Sequence, residues 1–424
     1  MIWRWFTSKA VRDACTMRKH VYHLFSAQRD LLSPMAIGAM TAAMNELKSV
    51  IAEGANAGKI RIKAEELEFA ANKWLKPYPN PVWRENVEVL LVAIAVAMGV
   101  RTFFLQPFKI PTGSMQPTLY GVISVPDYSR INPGGLDQSA VEAAMDAQFK
   151  LQNNLIIPGG WERFKEWFEG ISYVHVVAQN DGPITGISPM RRFLIFNIKQ
   201  TIWIGGVAHT MWFPPDFGEA AMEVRSGLAA KHFLNPDRIY HKGEDLVKLQ
   251  MRAGDHLFVD RFTYNFRKPD RGEIVVFETQ GIPEDKRNDP YGRWQPIPAY
   301  EFYIKRLVGL GGDKIEIGSD RHLIIDGKRL DSSTPHFENI YSFDPKEPPK
   351  ESQYSGHVSQ PTMPYFPDNS TVYQIPDGHV MVMGDNTMNS LDSRYWGDFP
   401  MSSIIGKSFF VYWPITSRFG WGNR

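Results

Sequence analysis

The sequence predicts a mainly β domain of folded antiparallel sheets or a barrel, joined to an N-terminal α-helical region by one transmembrane helix. Three observations predict it. Beyond residue 245, short apolar segments recur between turns rich in Gly, Asp and Pro, the pattern of closed or folded β-sheets. Residues 9–75 instead place apolar side chains three and four apart, which is the helical period. Between them lies the most hydrophobic run of the chain, Val87 to Leu105, and a spanning helix needs roughly 20 mostly apolar residues. The divisions that follow are 1–81 (helical), 82–105 (spanning), 106–119 with 245–424 (β-rich) and 120–244 (an inserted subdomain).

Composition narrows the function classes. Of the 424 residues, 47 are Lys or Arg and 46 are Asp or Glu, so no global basic field points to nucleic acid. The one cysteine, Cys15, permits no intramolecular disulfide and no Cys-based zinc site. Eleven histidines are scattered and none forms an HExxH pair, so neither metal nor cofactor is expected.

In chain order, Met1 to Phe6 is aromatic and basic and lacks the apolar run of a cleavable signal peptide. Whether Trp3 to Phe6 touches a membrane is left open. Lys9 to about Ile51 reads as helix, broken at Ser33-Pro34, where Pro suits the first turn of a new helix. Gly54 to Gly58 reads as a turn and Ile60 to Leu75 as a second amphipathic segment ending before Pro77, Pro79 and Pro81. Cys15 and His20 carry no evident chemistry. In the apolar run, Glu88 and Arg101 must lie near the two interfaces if it spans a bilayer. A buried helix of a soluble protein is the competing reading. Arg61, Lys63, Lys73, Lys76 and Arg84 precede the run and favour a cytoplasmic N-terminal side.

Next comes Pro107-Phe108-Lys109-Ile110-Pro111-Thr112-Gly113-Ser114-Met115-Gln116-Pro117-Thr118-Leu119. Pro111 and Pro117 disfavour helix on either side of Ser114. Gly113 lets another backbone approach the serine closely. Taken alone, the stretch reads as a linker. In the insertion, Ser139 to Leu151 and Trp161 to Phe168 read as helices and Phe193 to Ile204 as a strand. Trp203, Trp212 and Phe213 suit either an inserted β core or a membrane interface.

The β-rich part begins at Ala253-Gly254-Asp255-His256 and continues through Ile274 to Phe277 and Tyr303 to Leu310. Asp313 to Ile317 and His322 to Ile325 read as a hairpin, and Val372 to Ile375, His379 to Met383 and Ile404 to Tyr412 as further strands. Residues 331–371 read as a Pro-rich polar insertion. Lys305 stands in an apolar strand. Burial would lower its pKa from about 10.4, and a neutral amine can serve as base for a serine hydroxyl. An edge lysine facing solvent is the alternative. Gly384-Asp385-Asn386-Thr387-Met388-Asn389-Ser390-Leu391-Asp392-Ser393-Arg394 reads as a turn-rich loop or as a hydrogen-bonded shell around another group.

Together these segments resemble the bacterial type I signal peptidases, membrane-bound Ser/Lys leader peptidases of the peptidase S26 family. The likeness rests on five segments in order: the apolar run into Arg101 to Phe108, Pro111 to Leu119, Gly254 to Val259, Lys305 to Asp313, and Gly384 to Arg394. The resemblance implies the folded β-sheets of a signal peptidase. It implies Ser114 as nucleophile, Lys305 as general base, and Ser390 as the serine that hydrogen-bonds the amine. It implies an oxyanion hole from the Thr112 hydroxyl and the Ser114 N–H, with Asp392 and Arg394 as a structural acid–base pair. Asp385 and Asn386 are expected to be structural, and Met115 and Pro111 to line the substrate cleft. The implied partners are the lipid bilayer and secretory preproteins whose signal peptides carry small residues at −1 and −3. The implied location is the bacterial cytoplasmic membrane, single-pass, with the catalytic domain on the extracytoplasmic side.

Three departures stand out: Gly311 where the family usually has proline, Thr387 where it commonly has arginine, and the over 130 residues between Leu119 and Ala253, more than a common member has there. A self-cleaving repressor-type Ser/Lys protease and a catalytically inactive membrane-anchored binding protein are the alternatives.

Overall fold

The computed structural model describes residues 8–76, 81–128, 138–193, 196–217, 234, 238–289, 296–341 and 356–421. Trp3 to Phe6 lie outside the described residues. The chain divides into two units, 1–96 and 97–424.

The first unit is built from helices Lys9–Gln28, Pro34–Ala52 and Ala57–Trp74. Each start has a local cause. Ser33 Oγ accepts from Ala36 N at 3.3 Å with Pro34 in the first turn, and Asn56 Oδ1 accepts from Lys59 N at 2.9 Å. The apolar stripes bury Val11, Phe25, Met40, Leu47, Ile60 and Leu67 in one core. Cys15 packs at its margin and His20 is exposed.

Helix Pro81–Phe103 crosses the boundary between the units. Its span Trp83–Phe103 is long and apolar enough to cross a membrane, and none of it is buried. The apolar residues from Val89 to Val100 are exposed on every face, unlike a soluble amphipathic helix. Arg84 and Glu88 pair at 2.7 Å near its start. The helix stops short of the expected residue 105, because Leu105 is already paired with Asp260 in a sheet.

Among its described residues, the second unit holds twenty strands in chain order. They are β1 Leu105–Lys109, β2 Ile123–Val125, β3 Ile171–Val177, β4 Gly182–Ile187, β5 Arg191–Phe193, β6 Phe196–Ile204 and β7 Val207–Trp212. Then come β8 Ile239–Tyr240, β9 Asp245–Arg252, β10 His256–Asp260, β11 Ile274–Glu278, β12 Phe302–Leu310, β13 Lys314–Ile317 and β14 Leu323–Ile325. The last are β15 Lys328–Arg329, β16 Val372–Gln374, β17 His379–Met383, β18 Phe399–Pro400, β19 Ile404–Trp413 and β20 Gly420–Trp421. The pairings are antiparallel, including those between strands far apart in the chain, such as β1 with β10 and β12 with β17.

The principal sheet runs β1-β10-β19-β11-β12-β17-β18, with β20 on β19. Register shifts between β10 and β19 and between β11 and β19 add twist. The sheet curls far enough for Phe108 of β1 to meet Phe302 of β12, ring centroids 5.4 Å apart. One buried cluster (Ile110, Met115, Leu119, Leu257, Val276 and Val411 among others) therefore carries the stretch around Ser114 on the sheet. A second sheet, β15-β14-β13-β16, encloses another core with residues of β12 and β17.

The insertion closes on itself. Its sheet β2-β9-β3 joins its first and last strands, with Ile123 opposite Arg252, and β5-β6-β4-β8 with β7 completes it. The strand 245–252 thus pairs with β2 and β3, so the boundary expected at 245 falls at the start of an insertion strand. Helices Gln138–Asn154 and Gly160–Phe168 complete the insertion. Ile202 and Ile204 are in its core, whereas Trp212 and Phe213 are exposed.

Residues 331–371 are not a polar appendage where the structure describes them. Phe337, Ile340, Tyr341 and Phe366 are fully or almost fully buried with Ile315, Leu323 and Met383. The prolines and polar residues mark the turns that fold these aromatics inward. Phe337→Ala should therefore cost about 3–5 kcal/mol, as truncation of a buried aromatic does. Denaturant unfolding of the detergent-solubilised chain checks this; a loss under 1 kcal/mol would return the segment to the surface.

Candidate active site

Ser114 sits in the turn that follows β1. Ile110 N donates to Asp255 O at 2.9 Å and Val122 N to Pro111 O at 3.2 Å, so the chain leaves the sheet and returns within a few residues. A Cβ on Gly121 would lie 2.2 Å from the Thr112 carbonyl, so only glycine lets the return pass this close. From the other side, Asn386 N donates to Ser114 O at 3.0 Å and Asn386 Nδ2 to Gly113 O at 2.9 Å. A Cβ on Gly384 would come within 2.5 Å of Ser114 O, which explains the glycine that opens the last motif. The linker reading of this stretch fails because both of its faces are occupied.

Lys305 approaches on β12. Its Nζ donates to Ser114 Oγ at 2.7 Å, and both residues are only 5% exposed. The edge-lysine alternative is thereby excluded. Burial is the chief reason its pKa falls to about 8; Arg394 pushes the same way, while Asp392 and Asp385 oppose it. When the amine is charged, it donates to Ser114. When neutral, its lone pair can take the serine proton across the same contact.

Thr112 Oγ1 lies 3.5 Å from Ser114 Oγ, at the outer limit of a hydrogen bond. Thr112 is exposed, and among the described residues Ser114 N makes no backbone hydrogen bond. Pro111 is half-buried, with its carbonyl spent on Val122. Met115 corrects the expectation placed on it. Its side chain is fully buried among Ile110, Leu119 and Val259, so it packs beneath the turn instead of facing an open cleft.

Ser390 is a second correction. It is buried beside Gly384, and among the described residues its hydroxyl makes no hydrogen bond to Lys305; it lies close enough to Asp392 to help hold that carboxyl down. The extended backbone at Ser390, after the short turn Thr387–Asn389, turns the side chain toward the Gly384 backbone.

Asp392 and Arg394 form a fully buried bidentate pair, Nε to Oδ1 and Nη2 to Oδ2 at 2.8 Å each. Burial alone would raise the Asp392 carboxyl, but Arg394 more than offsets it and holds it below the usual range. Gly384 N also donates to Asp392 at 2.9 Å, which ties the pair to the loop. Thr387 does not loosen this shell: its Oγ1 accepts from Arg394 at 2.7 Å and from Val358 N at 2.9 Å. Gly311 lies in the turn between β12 and β13.

Asp385 turns out to have a partner that was not foreseen. Arg306, next to Lys305, donates to both its oxygens at 2.8 and 2.6 Å and to Gly272 O at 2.7 Å. Thr118 Oγ1 adds a bond to Asp385 at 2.5 Å. The available signal was a second cation in the same apolar strand, which demands a buried carboxylate.

Residues 83–130 and 246–413, about half of the chain, match the family described as Signal peptidase, peptidase S26. Among similar proteins, "Probable signal peptidase I-2" of Synechocystis sp. is 29% identical over 165 residues, covering 39% of this chain and 58% of that protein. "Signal peptidase I" of Pseudomonas fluorescens is 30% identical over 185 residues, 40% of this chain and 62% of that one. "Probable thylakoidal processing peptidase 2, chloroplastic" of Arabidopsis thaliana is 30% identical over 162 residues, 38% and 34% of the two chains. The matched part thus spans less than two thirds of each of these relatives. A crystal structure of a signal peptidase I from Enterococcus faecalis V583 aligns over 33% of this chain and 97% of its own, with 26% identity and a TM-score of 0.21. The matched segments contain Ser114, Lys305 and the loop 384–394 on either side of the insertion, and the chain belongs to the signal peptidase family, peptidase S26.

Proposed function

We propose that this protein is a membrane-anchored serine endopeptidase that removes N-terminal signal peptides from secreted preproteins. The observation that carries the reading is the buried Lys305 amine, 2.7 Å from the Ser114 hydroxyl and, among the described residues, in no salt bridge with a carboxylate.

The substrate lies extended along two strand edges. Among the described residues, the outer edge of β1 has no strand partner and Phe302 to Lys305 of β12 pair only with β11. The contact of Phe108 with Phe302 brings these edges toward one another. Their backbone groups can take up a peptide strand, and small side chains at −1 and −3 fit a cleft so close to the sheet. Neutral Lys305 accepts the Ser114 proton while Ser114 Oγ attacks the scissile carbonyl carbon. The Thr112 hydroxyl and Ser114 N–H donate to the oxyanion. The lysine proton passes to the leaving amine and frees the mature protein. Lys305 then takes a proton from water, whose oxygen attacks the acyl-enzyme ester; the lysine returns that proton to Ser114 Oγ as the ester bond breaks, and the signal peptide leaves as an acid that loses its proton to solvent.

Helix Pro81–Phe103 is the anchor, and β1 follows it almost directly, which keeps Ser114 near the bilayer surface. The cationic residues before the helix favour the cytoplasm, so the second unit faces the extracytoplasmic side of a bacterial inner membrane.

Ser114→Ala and Lys305→Ala should each abolish cleavage of a preprotein by the detergent-solubilised protein while the fold survives. Turnover retained by either variant removes the dyad. A second outcome follows from the lowered lysine pKa. The base must be neutral, and its folded pKa of about 8 lies below the ordinary 10.5. Activity therefore rises with pH, and below about pH 8 kcat/KM should fall roughly tenfold per unit. A flat profile between about pH 6 and 9 would exclude Lys305 as the base.

A further inference from the structure

The insertion touches the Ser114 turn on both sides. After it, Val122 belongs to the insertion's core with Ile202, Ile204, Leu249 and Met251, and its N–H bonds to Pro111 O. Before it, the amine of Lys109, last residue of β1, donates to the carboxylate of Asp216 in the insertion. Asp216 is held between two anchors. Asn197 Nδ2 donates to Pro214 O at 3.1 Å, and Phe217 is buried in the insertion's core. The side chains of Lys109 and Asp216 are 27% and 34% exposed, so the pair is partly shielded from solvent. His256, opposite Lys109 in β10, is kept neutral near pH 7 chiefly by burial and then by Lys109; its pKa falls to about 4.

We infer that Asp216 is a positioning residue: through Lys109 it holds the unpaired edge of β1, so that docking of the peptide beside Ser114 depends on the insertion. A preformed edge lowers the ordering cost of the bound strand without altering the chemistry at Ser114. The signature is therefore a weaker KM at nearly constant kcat. The inference rests on the proposal that an extended preprotein lies along β1.

The test is steady-state cleavage of a preprotein by the full chain in detergent. Asp216→Asn should raise KM roughly three- to tenfold, with kcat within about twofold of wild type. Asp216→Glu should restore KM, and Lys109→Asp combined with Asp216→Lys should recover most of it. An unchanged KM in Asp216→Asn overturns the inference. So does a fall in kcat together with the melting temperature that Asp216→Glu does not repair. A second readout needs no turnover. In a Ser114→Ala background, a fluorescent signal-peptide segment ending in Ala-x-Ala should bind more weakly by the same factor when Asp216→Asn is added. Equal binding in both backgrounds overturns the role of Asp216, whereas no binding in either removes the proposed substrate and with it the inference.

Discussion

Two cations stand side by side on β12, and only one has a carboxylate. Successive residues of a strand point to opposite faces, so Lys305 and Arg306 enter different surroundings. Arg306 cannot shed its proton, and burial obliges it to find a full set of acceptors. Asp385, Thr118 and the Gly272 carbonyl are placed around it. Lys305 can shed its proton, and its direct partner is the neutral hydroxyl of Ser114. The nearest anions, Asp385 and Asp392, are each held by an arginine. Had either carboxylate turned to the lysine, the amine would be stabilised as a cation. The arginines thus do more than brace the loop: they occupy the charges that would otherwise spoil the site.

That arrangement explains why the chain brings distant segments together. Asn386 takes the carbonyls of Gly113 and Ser114, while its neighbour Asp385 takes Arg306 and Thr118. Two consecutive residues therefore link the serine turn and the lysine strand. Gly384, just before them, leaves the room that the Ser114 carbonyl needs. A shift in this loop would alter both the position of Ser114 and the dryness around the Lys305 amine.

Much of this was legible in the sequence, for identifiable reasons. Helical period, the Ser33-Pro34 break, the turn at Gly54 to Gly58 and the Pro-rich end delimit the first unit, because each is a local signal. Ser114, Lys305 and the 384–394 loop were recognisable as a set from their order along the chain. Their directions were not. Ser390 occupies the expected place without the expected hydrogen bond, and Met115 packs inward, since side-chain direction depends on how the loop and turn close. The Arg306–Asp385 pair was hidden for another reason: a salt bridge between residues 79 apart leaves no periodic trace. Residues 331–371 were misread because composition counts prolines and polar residues equally, whereas burial is decided by a few aromatics such as Phe337 and Tyr341.

The insertion poses the last question, which is how so long a segment fits beside the Ser114 turn. Long loops cost little extra entropy once their ends are fixed, because closure grows only with the logarithm of length. Here the ends are fixed by β2 against β9, so the principal sheet meets a short hydrogen-bonded stem. A stem of that kind isolates the sheet from most of what the insertion does. It does not isolate the turn, because Val122 is packed in the insertion's core while its N–H holds Pro111. Any rearrangement of that core would be felt three residues from Ser114, at Pro111, as well as at Lys109. A subdomain that served only as a spacer would have no need of either contact.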